Sequence, residues 1–498
     1  MKNQTDTPAP TGSGETNMSR VILLAGVAAL GGFLFGFDSG VINGTVDALQ
    51  QAFDSDEVGT GFNVASMLLG CAIGAFFAGS FADKYGRKPM MILTAAAFII
   101  SAWGSGISGS SEQFVFFRIL GGLAVGGASV LAPAYISEIA PPEYRGRLTT
   151  LQQMMIVIGL FTAFLSNYVI AGMAGGASEV LWAGFGAWQW MFWAEIIPAS
   201  IFLIALFFIP ESPRYLVASD KGEEAESVLS SMIEASRAKK LVEQIRETVT
   251  EQRKPRLSDM FIRKTKRLHP IIWVGLGLAV LQQFTGINVV FYYGAILWQS
   301  AGFTEADALL TNVISGAVNI SFTFLAIALI DKVGRKPLLL IGALGQAVML
   351  AVMAFIFQTG DLSPEGALQL SSTQGMWALI AANVYIAFFA TTWGPIMWVM
   401  LGEMFPNQFR GAALAVCGLI HWLSNFTITL TFPILLASIG LGLSYGIYSL
   451  FGVVAFFMVR AFVKETKGRT LEEMSLEQEE LEKEYAMQEV SGDDGSES

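Results

Sequence analysis

The sequence predicts an all-α membrane protein, with twelve transmembrane helices in two pseudo-symmetric six-helix bundles and a cytoplasmic helical linker between them. Three observations predict it. Of 498 residues, 53% are apolar and only 14% are charged, against roughly 25% charged in a soluble protein. The apolar residues fall into runs of about 20, the length that crosses a hydrocarbon core. Two polar motifs recur, once in each half of the chain.

Mean hydropathy is +0.54. Twelve runs qualify as spans: 21–44, 59–82, 90–109, 113–138, 149–171, 188–209, 271–298, 308–330, 338–358, 376–402, 411–437 and 443–463. The 52 glycines and 20 methionines suit helices whose backbones approach closely. The chain therefore divides into a cytoplasmic tail (1–20), a first bundle (21–209), a linker (210–269), a second bundle (270–464) and an acidic cytoplasmic tail (465–498). The linker pattern EEAESVLSSMIEASRAKKLVEQIRETVTEQ is amphipathic and helical. A charged helix is expected at 471–488.

Lys and Arg set the orientation. The connections after even-numbered spans carry DKYGRK (83–88), PPEYRGR (141–147), the linker, DKVGRK (331–336) and NQFRG (407–411). The connections after odd-numbered spans contain no Lys or Arg. Cytoplasmic loops hold the positive charge, so both termini are expected in the cytoplasm. No signal-peptidase site follows the first run, which reads as a retained helix.

The net charge of -11 is concentrated in residues 465–498. The acidic pI therefore describes a tail and implies no acidic partner, and no basic footprint for nucleic acid is present. Cys71 and Cys417 both lie in apolar runs, as small residues packing between helices would. No metal site, cofactor or nucleophile–base constellation is expected among two cysteines and two histidines. A non-transporting sensor would need a longer cytoplasmic tail.

DKYGRKP at 83–89 recurs as DKVGRKP at 331–337, and EIAPPEYRG at 138–146 as EMFPNQFRG at 403–411. Each motif follows the same helix of its half. Two parallel six-helix repeats are one transporter architecture, with the substrate held between them near the midplane. Gly-Arg-Lys in a tight loop also invites a phosphate-binding reading. Asp83 and Asp331, at helix ends among Arg and Lys, read more simply as charge-paired anchors.

Together with these repeats, GGFLFGFDSGVINGT (31–45), FRILGGLAVGG (117–127), PESPRYL (210–216), QQFTGINVVFYY (282–293), WGPIMWV (393–399) and ETKGRTLEE (465–473) resemble the sugar porter family of the major facilitator superfamily. The resemblance covers the chain outside its first 20 and last 25 residues. Lys464 stands where the family has Pro. The resemblance implies twelve helices, alternating access and a monosaccharide substrate, while the Lys/Arg topology and short loops suit a bacterial plasma membrane and the protein is expected to work as a monomer.

A sugar presents hydroxyls that donate and accept on a ring with apolar faces, so its site needs neutral amides and an aromatic floor. The seventh span supplies Gln282, Gln283 and Asn288 around Gly286. Asn319 and Asn425 add amides, while Trp398, beyond a break expected at Gly394–Pro395, and Trp422 offer rings. The resemblance assigns sugar contact to Gln282, Gln283, Asn288, Asn319, Trp398 and Gln153. Tyr292 and Tyr293 read as gate or as packing. Leu160 stands where xylose symporters of the family carry Gln, which with Gln153 points to glucose or another hexose. His421 replaces a Gln or Asn of relatives. It reads as a neutral amide substitute, a hydroxyl donor or a titrating modulator.

A carboxylate inside a span is functional by default. Asp38 lies in the first span and Arg118 at similar depth in the fourth. They are expected to pair, either as a structural ion pair or as the proton-coupling site, and in the family such a pair accompanies proton symport. Passive uniport, or symport of xylose, another pentose or a polyol, is the alternative. Glu138 and Glu403, with Arg87, Arg147, Arg335 and Arg410, are expected to form a cytoplasmic charge network that locks the outward-facing state, or to be solvated surface charge.

Overall fold

The computed structural model describes residues 17–141, 144–251, 257–262, 267–362, 368–406 and 408–467. The helix expected at 471–488 and nearly all of the N-terminal tail lie outside them. Among the described residues, eleven helical segments are long and apolar enough to cross a membrane: Met18–Gly44, Glu57–Tyr85, Arg87–Ile107, Ser111–Ile139, Thr150–Ala174, Ala187–Phe208, Pro270–Ser300, Glu305–Val333, Arg335–Gln358, Ser372–Met404 and Arg410–Phe462. The last leaves helical geometry at Gly440 (φ 77°, ψ 175°). It is two spans, which brings the total to the expected twelve.

The caps follow from the sequence. At the end without Lys or Arg, Asp56, Ser110, Thr304 and Ser371 each accept a backbone N–H in the first turn of a span, meeting donors that an apolar medium leaves unpaired. At the basic end the third and ninth spans begin at Arg87 and Arg335 without a local cap. Carboxylates from distant chain serve instead. Glu211 accepts from Arg87 N (3.0 Å) and Lys88 N (3.2 Å), and Glu465 accepts from Arg335 N (3.1 Å) and Lys336 N (3.0 Å). Helix N-termini favour such negative charge. Burial works against the ionised form of Glu465, but four backbone N–H groups outweigh it and hold the carboxyl below the ordinary carboxylate range. Lys464 in place of Pro does not prevent this docking.

Close packing relies on glycine. A Cβ on Gly36 of the first span would lie 1.9 Å from Ile156 O of the fifth. Gly36→Ala is expected to cost about 1–3 kcal/mol through forced separation of the two spans. It should lower the melting temperature of the purified protein in detergent, and an unchanged melting temperature would contradict the contact.

Two spans are broken. In the seventh, Pro270–Phe284 ends and Ile287–Ser300 begins across Gly286, whose φ of 82° suits glycine. The tenth breaks at Thr392 (φ −128°, ψ −88°), earlier than Gly394–Pro395, and Trp393–Met404 continues as helix. Gly394 and Pro395 fall in the first turn of that half-helix, where Pro costs no hydrogen bond. The linker forms helices Pro213–Ala218, Gly222–Ser230 and Ala235–Glu251.

Candidate functional site

The break in the seventh span gathers the predicted amides. Asn288 Nδ2 donates to Gln283 Oε1 (2.5 Å), and Gln283 Nε2 reaches Gln282 Oε1 (3.2 Å) and His421 Nε2 (2.6 Å). Gln282 Oε1 also lies 2.6 Å from His421 Nε2. One ring nitrogen cannot both donate and accept. A lone pair on Nε2 accepts one Gln283 amide hydrogen while Gln282 Oε1 accepts the other, which makes His421 a neutral member of the amide set whose Nδ1 is buried without a partner among the described residues. Trp398, 39% exposed, stands edge-on to His421 at 4.9 Å, and Trp422 does so at 5.6 Å. Trp422 is itself buried against Phe35 of the first half (5.7 Å). Trp398 therefore offers the accessible ring.

The other predicted residues distribute around this cluster. Asn425 donates to Tyr292 Oη (3.4 Å). Tyr293 Oη donates to Thr429 O (2.9 Å) within its own half. Asn319 is buried and Gln153 half-buried, and neither hydrogen-bonds to the amide cluster among the described residues. Leu160 turns its side chain toward the first span, where a Cβ on Gly40 would meet Leu160 Cδ1 at 2.9 Å.

In the first half, Arg118 Nη1 pairs with Asp38 Oδ1, and Nη2 donates to Asp38 O (3.2 Å). Both residues are 1% exposed. Phe192 faces the guanidinium at 5.6 Å. A third ionisable group was missed by the sequence reading. Glu195 of the sixth span is 1% exposed, has Oε1 without a hydrogen-bond partner, and lies beside Asp38 and Arg118. The rule that found Asp38 would have found it, for Glu195 sits inside the apolar run counted as 188–209.

The charge networks repeat in the two halves. Arg87 bonds Glu138 through Nε (3.1 Å) and Nη2 (3.0 Å), with Asp83 at 2.9 Å. Arg335 bonds Glu403 through Nε (3.1 Å) and Nη2 (2.9 Å), with Asp331 at 3.1 Å. These bidentate pairs lie within their own half. They are half-buried clasps with directional geometry, not free surface charge. Arg410 Nε donates to Phe405 O (3.0 Å). The side chain of Arg147 lies outside the described residues.

The opposite end is shut by contacts that the sequence reading did not anticipate. Asn43, at the end of the first span, donates to Phe291 O (2.9 Å) and accepts from Ala295 N (3.3 Å) and Asn312 Nδ2 (2.7 Å). Gln299 Nε2 donates to Asp47 Oδ2 (2.6 Å), and Ala177 N to Glu305 Oε1 (2.8 Å). All five bonds join the first half to the second. Three of them involve the half-helix beyond the Gly286 break.

Comparison with known proteins identifies the family and the fold. The family described as "Sugar (and other) transporter" matches residues 24–477. The glucose transport protein of Synechocystis is 50% identical over 92% of this chain and 97% of its own length. The D-xylose-proton symporter of Escherichia coli K12 is 38% identical over 92% and 96%. Among solved structures, the inward-open xylose transporter of E. coli gives a TM-score of 0.79 at 36% identity, covering 92% of this chain and 99% of that one. The same transporter bound to 6-bromo-6-deoxy-D-glucose gives 0.73. The chain is a multi-pass membrane protein that belongs to the sugar transporter family.

Proposed function

We propose that this chain carries a hexose, glucose foremost, into a bacterial cell together with a proton, by alternating access of one site to the two sides of the membrane. The neutral cluster of Gln282, Gln283, Asn288 and His421 beside Trp398 carries the reading. Its members hydrogen-bond to one another, so a sugar exchanges hydrogen bond for hydrogen bond, while a ring face covers the indole. Gln153, Asn319, Trp422 and Asn425 complete the site as the halves close. The Synechocystis relative is named for glucose transport and the E. coli relative for xylose–proton symport, which supports both the substrate class and the coupling.

With Asn43, Asp47 and Glu305 holding one end shut, the conformation is read as inward-facing. The Lys and Arg distribution puts the shut end in the periplasm and both termini in the cytoplasm. The monomer in the lipid bilayer is the working unit, and nucleic acid has no part.

The proton site follows from charge balance. Asp38, Glu195 and Arg118 place two carboxylates beside one guanidinium, out of water. An uncompensated buried charge is costly, so the trio is neutral with one proton aboard. Loss of that proton leaves Asp38 locked to Arg118. Coupling arises because the two conformations hold the proton with different affinity. The Arg87–Glu138 and Arg335–Glu403 clasps keep each half rigid at the cytoplasmic end, and their approach in the outward-facing state is the lock proposed for Asp83, Asp331, Arg147 and Arg410.

Substrate choice tests the reading. Labelled glucose uptake by the purified protein in vesicles should be competed more strongly by glucose than by xylose. Leu160→Gln should narrow that preference by about tenfold, the worth of one added polar contact. Relative uptake of the two sugars that does not change would remove Leu160 from the specificity account, and absence of glucose uptake would overturn the substrate class.

A further inference from the structure

The shut end carries a carboxylate of each half on one cleft. The cleft encloses about 330 Å³ and is lined by Asp47, Gln51 and Ser178 of the first half and by Gln299, Ser300 and Glu305 of the second. Asp47 follows the first span on the short helix Val46–Phe53. Gln299 Nε2 donates to its Oδ2 (2.6 Å) from the other half. Glu305, in the first turn of the eighth span, accepts from Ala177 N (2.8 Å). Each bond joins the two halves, so opening this end breaks both.

The charge around Asp47 is all of one sign. The half-helix Ile287–Ser300 brings Gln299 but no charge, and its two tyrosines bond elsewhere, Tyr292 with Asn425 and Tyr293 with Thr429. The eighth span brings Glu305, and Asp307, which is exposed and accepts from Thr304 Oγ1 (2.7 Å). The third span begins beside the exposed Asp56 and Glu57. Glu179 stands near Glu305 at Gly176, where an added Cβ would meet Glu305 Oε2 at 3.2 Å and Glu179 Cγ at 3.4 Å. No Lys or Arg occurs in the connections at this end. Burial raises the Asp47 carboxyl above its ordinary range, the bond from Gln299 lowers it, and the charge of Glu305 raises it again, with a net rise. In an opened cleft Asp47 regains water and parts from Glu305, so both causes of the rise fade. The shut form therefore binds the proton more tightly. Acid stabilises it; that stabilisation is complete below the open-form value and is lost as pH rises through the shut-form value. Protonation spares the contact itself, because a carboxylic acid still accepts from Gln299 through its carbonyl oxygen.

We infer that Asp47 is an acid-sensitive latch: protonated, it lets the two halves meet at the periplasmic cleft and holds the carrier inward-facing, and ionised, it opposes Glu305 and lets that end reopen. This rests on the alternating-access reading and adds a control, by external pH, of the step that returns the empty carrier outward. It is separate from the buried site of Asp38, Glu195 and Arg118. Acid outside then acts twice, loading the proton that drives uptake and delaying the reopening that admits the next sugar. A purely structural Asp47 would hold the cleft equally at every pH.

The test reads the shut end as a function of pH. Spin labels at Gly109 of the first half and Thr359 of the second, both exposed at that end, report the distance across it, with Cys71 and Cys417 replaced by Ala. The labelled parent also carries Asp38→Asn, so that the buried site does not titrate. Pulsed dipolar measurements in lipid nanodiscs, without sugar, give the ratio of shut to open molecules. Between about pH 8 and about pH 5 that ratio should rise about threefold, the worth of one like-charge contact near a surface. Adding Asp47→Asn should hold the ratio at its acid value at every pH. Glu305→Gln keeps an acceptor for Ala177 N and should flatten the response, whereas Glu57→Gln, at an exposed carboxylate of the same end, should leave it unchanged. An unaltered pH response in both Asp47→Asn and Glu305→Gln overturns the latch. So does a ratio that follows added calcium at fixed pH and ignores pH, since the two carboxylates would then be bridged by a cation. A parent whose distances never change, with or without saturating glucose, overturns the alternating-access reading, and the latch with it.

Discussion

Asp38→Asn is expected to abolish accumulation of glucose against its gradient while leaving exchange of sugar across the membrane in place. Each inward proton contributes about 2.3 kcal/mol per 100 mV, which supports a roughly 50-fold sugar gradient. The variant loses this entirely, because the one remaining carboxylate, Glu195, stays ionised as the counter-charge of Arg118 and the site no longer takes up a proton. Removing one partner of a buried ion pair usually costs about 3–5 kcal/mol. Here Glu195 remains beside Arg118 as a compensating carboxylate, so the protein should still fold and exchange sugar. Uptake and counterflow assays on one preparation separate the two outcomes. Full accumulation by the variant would reduce the Asp38–Arg118 contact to a structural ion pair.

Gln283→Ala is expected to weaken apparent glucose affinity by about 10- to 100-fold, or roughly 1.4–2.8 kcal/mol. Gln283 is the hub of the amide cluster, with Gln282, Asn288 and His421 as its partners. Its removal strands several buried polar groups as well as a sugar hydroxyl, and such groups are expensive when unpaired. The maximal rate should change less than the concentration for half-maximal uptake. A variant with unaltered apparent affinity would move the sugar site away from the seventh-span break.

Much of this was legible in the sequence, because the bilayer demands long apolar runs and tolerates few charges inside them. The twelve spans and the Asp38–Arg118 pair follow from that demand, and the two repeats from polar motifs that recur after the same helix of each half. Gln282, Gln283, Asn288 and His421 were expected from their residue types and motif context, and the fold brings them within hydrogen-bonding distance. Gly286 supplied the hinge, since a positive φ at that point needs glycine.

What remained hidden was tertiary. Asn43 lies in the quoted motif GGFLFGFDSGVINGT, yet its partners are backbone groups of Phe291 and Ala295 and the side chain of Asn312. No local pattern announces a bond across so much sequence. Glu211 and Glu465 cap equivalent helices in the two halves, but the surrounding letters, PESPRYL and ETKGRTLEE, do not repeat closely enough to pair them by eye. The tenth-span break fell at Thr392 because Gly394 and Pro395 serve as first-turn residues, a role that sequence alone leaves equal to a kink. Glu195 differs from these. It was readable, as a carboxylate inside an apolar run, and only its neighbours needed the fold.

The most direct test of the account is uptake of labelled glucose into vesicles holding the purified protein, with and without an inward proton gradient. The account predicts accumulation above equilibrium with the gradient, collapse of that accumulation when a protonophore is added, and simple equilibration without it. Equilibration alone under both conditions would contradict it, making the protein a passive sugar carrier and leaving Asp38, Arg118 and Glu195 without a role in coupling.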